Sequence, residues 1–233
     1  MEFQDRHVVV TGGTGALGVA VVGALLAAGA ACHVPCTSDS RAQEYPHRSH
    51  PGLRLVTTGT LTDEAAVTRL FDSAPALWAS IHLVGGFAAD PIGATDKSAL
   101  MRQVDTNLVT CFLCCRAAVQ AMSRGKSGGR IVNVAARPAL EWRAGAGMTA
   151  YAASKAAVAA FTVALAEEVA KDGILVNAVV PSIMDTPANR KALPKANHAA
   201  WPKLEEVAQT ILFLASPENK VTRGATVPVY GRT

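Results

Sequence analysis

Short, unbroken apolar runs alternate along this chain with longer stretches whose apolar residues return at helical spacing. His7–Val10 (HVVV), Ala31–Cys36, Leu53–Thr57, Trp78–Val84, Arg130–Val134, Ile174–Val180 and Thr226–Tyr230 read as strands. Their apolar character does not alternate, which predicts burial on both sheet faces. Helices are expected at Ala16–Ala28, closed by Gly29, and at Thr62–Ser73, where TDEAAV supplies an N-cap and acids in the first turn. Others are expected at Asp96–Met122, Thr149–Lys171 and Leu204–Ala215. Strands separated by helices in this way predict an α/β fold. The expected form is a doubly wound parallel sheet of seven strands, helices on both faces, with ligands at the strands' carboxyl ends.

The 233 residues, half of them hydrophobic, contain no repeat or Gly/Ser-rich linker, so one domain over 1–233 is expected. The formal charge of +4 is spread rather than striped, which argues against a nucleic-acid surface. No apolar run reaches the ~18–20 residues of a membrane span. The start, MEFQDRHVVV, lacks the basic and apolar stretches of a signal peptide, and a cytoplasmic protein is expected. Five cysteines give no closed disulfide set. Cys111, Cys114 and Cys115 lie in an apolar helical stretch, VTCFLCCRAAV, without a second ligand pair, and are expected to be small buried hydrophobes. His47 and His50 have H-x-x-H spacing but no carboxylate or thiol partner in sequence, so no metal site is expected.

Two patterns carry chemistry. The first strand runs into TGGTGALG, where Gly12, Gly15 and Gly18 form a G-x-x-G-x-x-G at a strand-to-helix junction. Glycines there permit a tight turn and close approach of a pyrophosphate, and the helix N-terminus adds free N–H groups. This predicts a Rossmann-type dinucleotide site. The second strand ends at Cys36-Thr37-Ser38, with no acid before Asp39 and with Arg41 nearby. An Arg that pairs with a 2′-phosphate favours NADP, whereas Asp39 turned inward would favour NAD. The second pattern is TAYAASKAA, which sets Tyr151 and Lys155 one helical turn apart on one face. An ammonium beside a phenol is expected to lower its pKa and make a proton donor.

With these motifs in place the chain resembles the short-chain dehydrogenase/reductase family, nearly end to end, from VTGGTGALG to GATVPVYG. The resemblance implies that Tyr151, Lys155 and Asn107 (in VDTNLVT) are catalytic. It implies cofactor contacts at Gly12, Thr14, Gly15, Ala16, Leu17 and Gly18, then at Thr37, Ser38, Arg41, Leu61 and Gly85. Tyr151, Lys155, Pro181, Ile183 and Thr186 complete that set. RIVNVAA resembles the strand before the active site, and VNAVVPSIMDTP the segment closing over the nicotinamide. A homodimer or homotetramer is implied, with the Tyr151 helix and the one before it at the interface.

Several positions depart from the family pattern. The serine expected after the fifth strand aligns with Ala136, and residues 128–153 hold no serine. Arg137 is the alternative donor; Thr149 would point elsewhere. HLVGG (His82–Gly86) replaces N-N-A-G, Thr60 stands where an acid holds the adenine, and Ser182 replaces a glycine. Quinonoid dihydropteridine reductase shares the missing serine, a similar approach to the tyrosine (GMTAY, Gly147–Tyr151) and a substrate loop like DTPANRKALPKANHAAW. The expected activity is hydride transfer between NADP(H) and a small molecule's carbonyl, imine or quinonoid group, a pterin among the candidates. A β-ketoacyl or general carbonyl reductase is the alternative, and a silent nucleotide-binding regulator the third reading. Residues 182–203 are expected to form the substrate loop; Asn189, Arg190 and Lys191 are candidates to meet a polar or acidic substrate, with solvated loop charges as the default reading. Phe87, Trp142 and Trp201 are candidate walls for a flat ring.

Overall fold

A computed structural model describes residues 1–125 and 128–233. Seven strands form one parallel sheet in the order β3-β2-β1-β4-β5-β6-β7. They are β1 (His7–Thr11), β2 (Ala31–Cys36), β3 (Leu53–Thr57), β4 (Leu77–His82), β5 (Gly129–Val134), β6 (Ile174–Pro181) and β7 (Thr226–Val229). Chain order reverses between β1 and β4, and that switch point opens a crevice at the strands' carboxyl ends.

The helices are α1 (Ala16–Ala27), α2 (Asp39–Gln43), α3 (Glu64–Asp72), α4 (Lys97–Val104), α5 (Thr110–Gly125), α6 (Thr149–Glu168), α7 (Pro187–Ala192) and α8 (Leu204–Ala215). Two apolar clusters fill the faces of the sheet. One packs Val9, Ile131 and Val176 against α3, α5 and α6. The other packs Val8, Val10, Ile81 and Val132 against α1 and α8. Strands with apolar side chains on both faces explain why the sequence runs show no alternation.

Gly29, at φ +87°, ends α1: its N–H donates to Leu26 O and that of Ala30 to Leu25 O. The cap of α3 is Asp63, not Thr62; its carboxylate accepts from Ala65 N at 3.0 Å. The expected single helix over 96–122 is two helices joined by a π-helical turn, Asp105–Val109. Two short helices, α2 and α7, interrupt stretches read as loops. By length and mean hydropathy α6 could cross a membrane, in contrast to the expectation that no run would; its buried face, with Val158, Thr162 and Leu165, packs in the core.

Candidate active site

The glycine-rich turn sits against the end of β4. Gly12 has φ +69°, and a Cβ there would lie 2.7 Å from the Leu83 carbonyl carbon. A Cβ on Gly18 would strike the Gly12 carbonyl oxygen, so the first turn of α1 lies directly on the loop. The Gly15 N–H donates to Gly12 O at 3.0 Å, and α1 begins at Ala16. The first N–H groups of α1 therefore face the crevice, a setting for phosphate. Thr14 is half-buried and Gly15 exposed, whereas the Leu17 side chain faces the core.

At the end of β2, Ser38 caps α2 by accepting from Arg41 N at 3.4 Å. Asp39 is turned to the sheet edge, where Thr57 Oγ1 donates to its carboxylate at 2.7 Å. Thr37 and Arg41 are exposed, and among the described residues no carboxylate pairs with Arg41. Thr60 is tied to Thr62 at 2.9 Å, while the Leu61 side chain belongs to the core, leaving only its backbone to face a ligand.

Lys155, Asn107 and Gly85 meet at the centre. Lys155 is 5% exposed and donates from Nζ to Val134 O at 2.9 Å. Asn107 Oδ1 accepts from Gly86 N (2.9 Å), and its Nδ2 donates to Gly86 O (3.1 Å) and Ser154 Oγ (3.0 Å). A Cβ on Gly85 would come 2.9 Å from Asn107 Oδ1 and 3.0 Å from Lys155 Nζ, so any side chain there would have to displace both groups. The π-helical turn carries Asn107 into this position. Sequence reasoning missed Ser154, which stands directly before Lys155 and clamps Asn107 from α6.

Half-buried Tyr151 packs edge-on against Phe87, ring centroids 5.0 Å apart; Phe87 is 65% exposed. Burial pushes the Tyr151 phenol up to about 12. Burial also brings the Lys155 ammonium down to about 8, opposed by Cys111. This corrects the expectation of a phenol acidified by its lysine: desolvation governs both groups.

Ala136 occupies the missing serine's place in extended backbone. Arg137 does not substitute for it. Its Nε donates to Glu141 Oε2 at 2.7 Å and its guanidinium lies 5.0 Å from the Tyr230 ring centroid. Trp142 is 79% exposed, whereas Trp201 is buried against His198 and is packing rather than a free wall. Thr186 caps α7, accepting from Asn189 N at 3.1 Å; Pro181 ends β6 and Ile183, just beyond it, is exposed. Arg190 forms a two-point ion pair with Asp185 and Asn189 Nδ2 donates to Met184 O, so both hold the loop's own shape; Lys191 is exposed. His47 binds Val19 O and His50 accepts from Gly52 N, each in its own local bond.

A family model for short chain dehydrogenases matches residues 6–197. Galactitol 2-dehydrogenase of Rhizobium johnstonii is 35% identical over 97% of this chain and 94% of its own length. A 3-oxoacyl-[acyl-carrier-protein] reductase of Vibrio harveyi is 31% identical over 99% and 98%. A solved structure described as ElxO with NADP bound superposes with TM-score 0.89 at 22% identity, covering 98% of both chains.

Proposed function

Because this chain belongs to the short chain dehydrogenase family, we propose that it is an NADP(H)-dependent reductase of small carbonyl compounds acting in the cytoplasm. The observation that carries the reading is the meeting of Lys155, Asn107 and Gly85 at the crevice, with Tyr151 one turn earlier on α6. The glycine turn fits a dinucleotide: Gly12 and Gly18 close the loop tightly and leave the start of α1 to hold the pyrophosphate. Thr37, Ser38 and Arg41 would receive a 2′-phosphate, since Asp39 is engaged by Thr57. ElxO, which shares the fold, holds NADP. Bound there, the nicotinamide supplies the hydride.

The chain's own residues do the rest. Tyr151 donates its phenolic proton to the substrate oxygen as negative charge builds on it. A pKa of about 12 suits that direction, because the phenol stays protonated at neutral pH and an alkoxide is still the stronger base. Lys155 holds the ribose and, through Val134 O, keeps its own place on β5. Asn107 acts by fixing Gly86 and Ser154, which frame the crevice. Residues 182–203 cover the substrate, and Phe87 and Trp142 give the mouth an aromatic wall. Two chains associate through α5 and α6.

A second reading, reduction of a quinonoid ring such as a dihydropterin, is favoured by one feature. Ala136 offers no hydroxyl to polarise a ketone, and an already electrophilic ring needs less help. A nucleotide-binding regulator is disfavoured by the intact Tyr151–Lys155 pair. The test follows NADPH consumption with a β-ketoacyl thioester, simple ketones and a quinonoid dihydropterin, for the wild type and Tyr151→Phe. Turnover of a ketone or thioester, lost at least ~100-fold in Tyr151→Phe, supports the proposal. Turnover of the pterin alone selects the second reading, and NADPH binding without any turnover selects the regulator.

A further inference from the structure

Beneath the crevice the fold assembles a polar cluster that hydride transfer does not use. Cys111 and Cys115, four residues apart on α5, share a helical face, and the ring of His82 at the end of β4 comes near both. The Sγ atoms of Cys111 and Cys115 and an imidazole nitrogen of His82 all lie within 4.8 Å of one another, and all three residues are buried. His82 Nδ1 is 3.3 Å from Cys115 Sγ and 2.8 Å from Asn133 Oδ1. Around a tetrahedral ion with metal–sulfur bonds of ~2.3 Å and metal–nitrogen bonds of ~2.0 Å, donors stand about 3.5–3.8 Å apart. The cluster is therefore within a small adjustment of a coordination shell.

We infer that Cys111, Cys115 and His82 Nδ1, with Asn133 Oδ1 as fourth donor, form a buried structural site for one thiophilic d10 metal ion, Zn2+ or Cu+. The outer groups suit it. His82 Nε2 lies 2.7 Å from Ser80 Oγ, so the ring proton moves to Nε2 and is held there when Nδ1 ligates. Asn133 Nδ2 donates to Thr162 Oγ1 at 2.9 Å, which fixes the amide with its oxygen toward the cluster. Sulfur and imidazole donors select soft or borderline ions over Mg2+ or Ca2+. On binding, two S–H bonds break, two S–metal bonds form, and the two protons leave to solvent. The ion would join α5 to β4 and β5. Asn107 lies one turn before Cys111, so the same staple would steady the π-helical turn. Because every ligand is buried, loading accompanies folding.

Sequence reading missed this site because its third ligand lies in a strand 29 positions before Cys111. The hydrogen-bonded core it competes with predicts no metal at all. The test refolds the reduced full-length chain with Cd2+ as probe. It records thiolate-to-Cd2+ charge-transfer absorption and thermal stability, alongside the zinc and copper content of protein purified without chelator. One ion per chain, a charge-transfer band and a midpoint raised by several degrees are expected. The band should vanish in Cys111→Ala and Cys115→Ala. It should persist when Cys32, Cys36 and Cys114 are all replaced by alanine, a variant that answers the question even if the first two fold poorly. No band in the wild type, or a band that disappears only with Cys32, Cys36 and Cys114, overturns the inference.

Discussion

The phenol of Tyr151 keeps its proton well above neutral pH because burial raises its pKa to about 12, while burial brings Lys155 down to about 8. The sign for catalysis follows directly. Reduction needs the protonated phenol and the charged ammonium, and both are present below about 8. The rate of carbonyl reduction should be flat through the neutral range and fall as pH rises through about 8, where Lys155 loses its charge. A reduction rate that climbs between pH 7 and 9 would contradict this. The same burial makes Lys155 a liability for folding. Depressing its pKa from 10.5 to about 8 corresponds to roughly 3 kcal/mol of unfavourable charging at neutral pH, against about 1 kcal/mol for its bond to Val134 O. Lys155→Met should therefore raise the thermal midpoint by a few degrees while turnover falls at least ~100-fold. Calorimetry and steady-state kinetics on one preparation check both halves. Ala136 marks the opposite case, a site short of a donor: Ala136→Ser should raise kcat for plain ketones about tenfold, less than the ~100-fold a preorganised donor gives.

At the scale of elements, the loop after β4 is gripped between α4–α5 and α6. Gly85 permits that grip, since a methyl there would press on Asn107 Oδ1 and Lys155 Nζ, and both are held by other bonds. Gly85→Ala is expected to cost 1–3 kcal/mol, about the penalty for overpacking, and to lower kcat more than it raises KM. Urea unfolding and kinetics together test this; an unchanged kcat would remove Gly85 from the site's architecture. A second junction ties β2 to β1 and α3. His33 bonds His7 at 2.9 Å and Ser73 Oγ at 3.0 Å. Burial, then the charges of His7 and Arg54, lower its pKa from 6.5 to about 4. The folded state thus binds fewer protons than the unfolded chain between these values. Stability is full above about 6.5 and is lost as pH falls toward 4, by up to about 3 kcal/mol. His33→Gln should flatten that slope in urea midpoints measured at pH 7 and 4.5. These junctions explain what the sequence disclosed. β2, β3 and α8 match their expected spans because an apolar run bounded by turn residues is a local signal. The π-helical turn, the Ser154–Asn107 clamp and the His82 cluster depend on contacts between segments distant in sequence, which no local pattern records. α7 was hidden for another reason: six residues between prolines carry too little periodicity to register.

For the whole molecule, sheet order and helix placement decide which surface remains for a partner. α1 and α8 bury one face of the sheet and α3, α5 and α6 the other, yet α5 and α6 still turn large apolar side chains outward. Phe112 on α5 and Val163 on α6 are 47% and 43% exposed, and the rings of Phe112 and Phe161 lie 5.6 Å apart across the two helices. Exposed apolar side chains on two neighbouring helices suit a self-complementary contact about a two-fold axis. That surface also lies on α6, which carries Tyr151, and on α5, which follows the π-helical turn that carries Asn107, so pairing would brace the site from outside. Wild-type protein should sediment as a dimer or tetramer. Phe112→Asp places a charge on that surface and should shift the population toward monomer, with reduced turnover, because α5 and α6 lose their outer support. Glu218→Ala, which removes the exposed ion pair with the Met1 ammonium just beyond α8, on the other side of the sheet, should leave the assembly intact. Sedimentation velocity on the three proteins separates the outcomes: a monomeric wild type, or a Phe112→Asp variant that still associates fully, would move the interface off these helices.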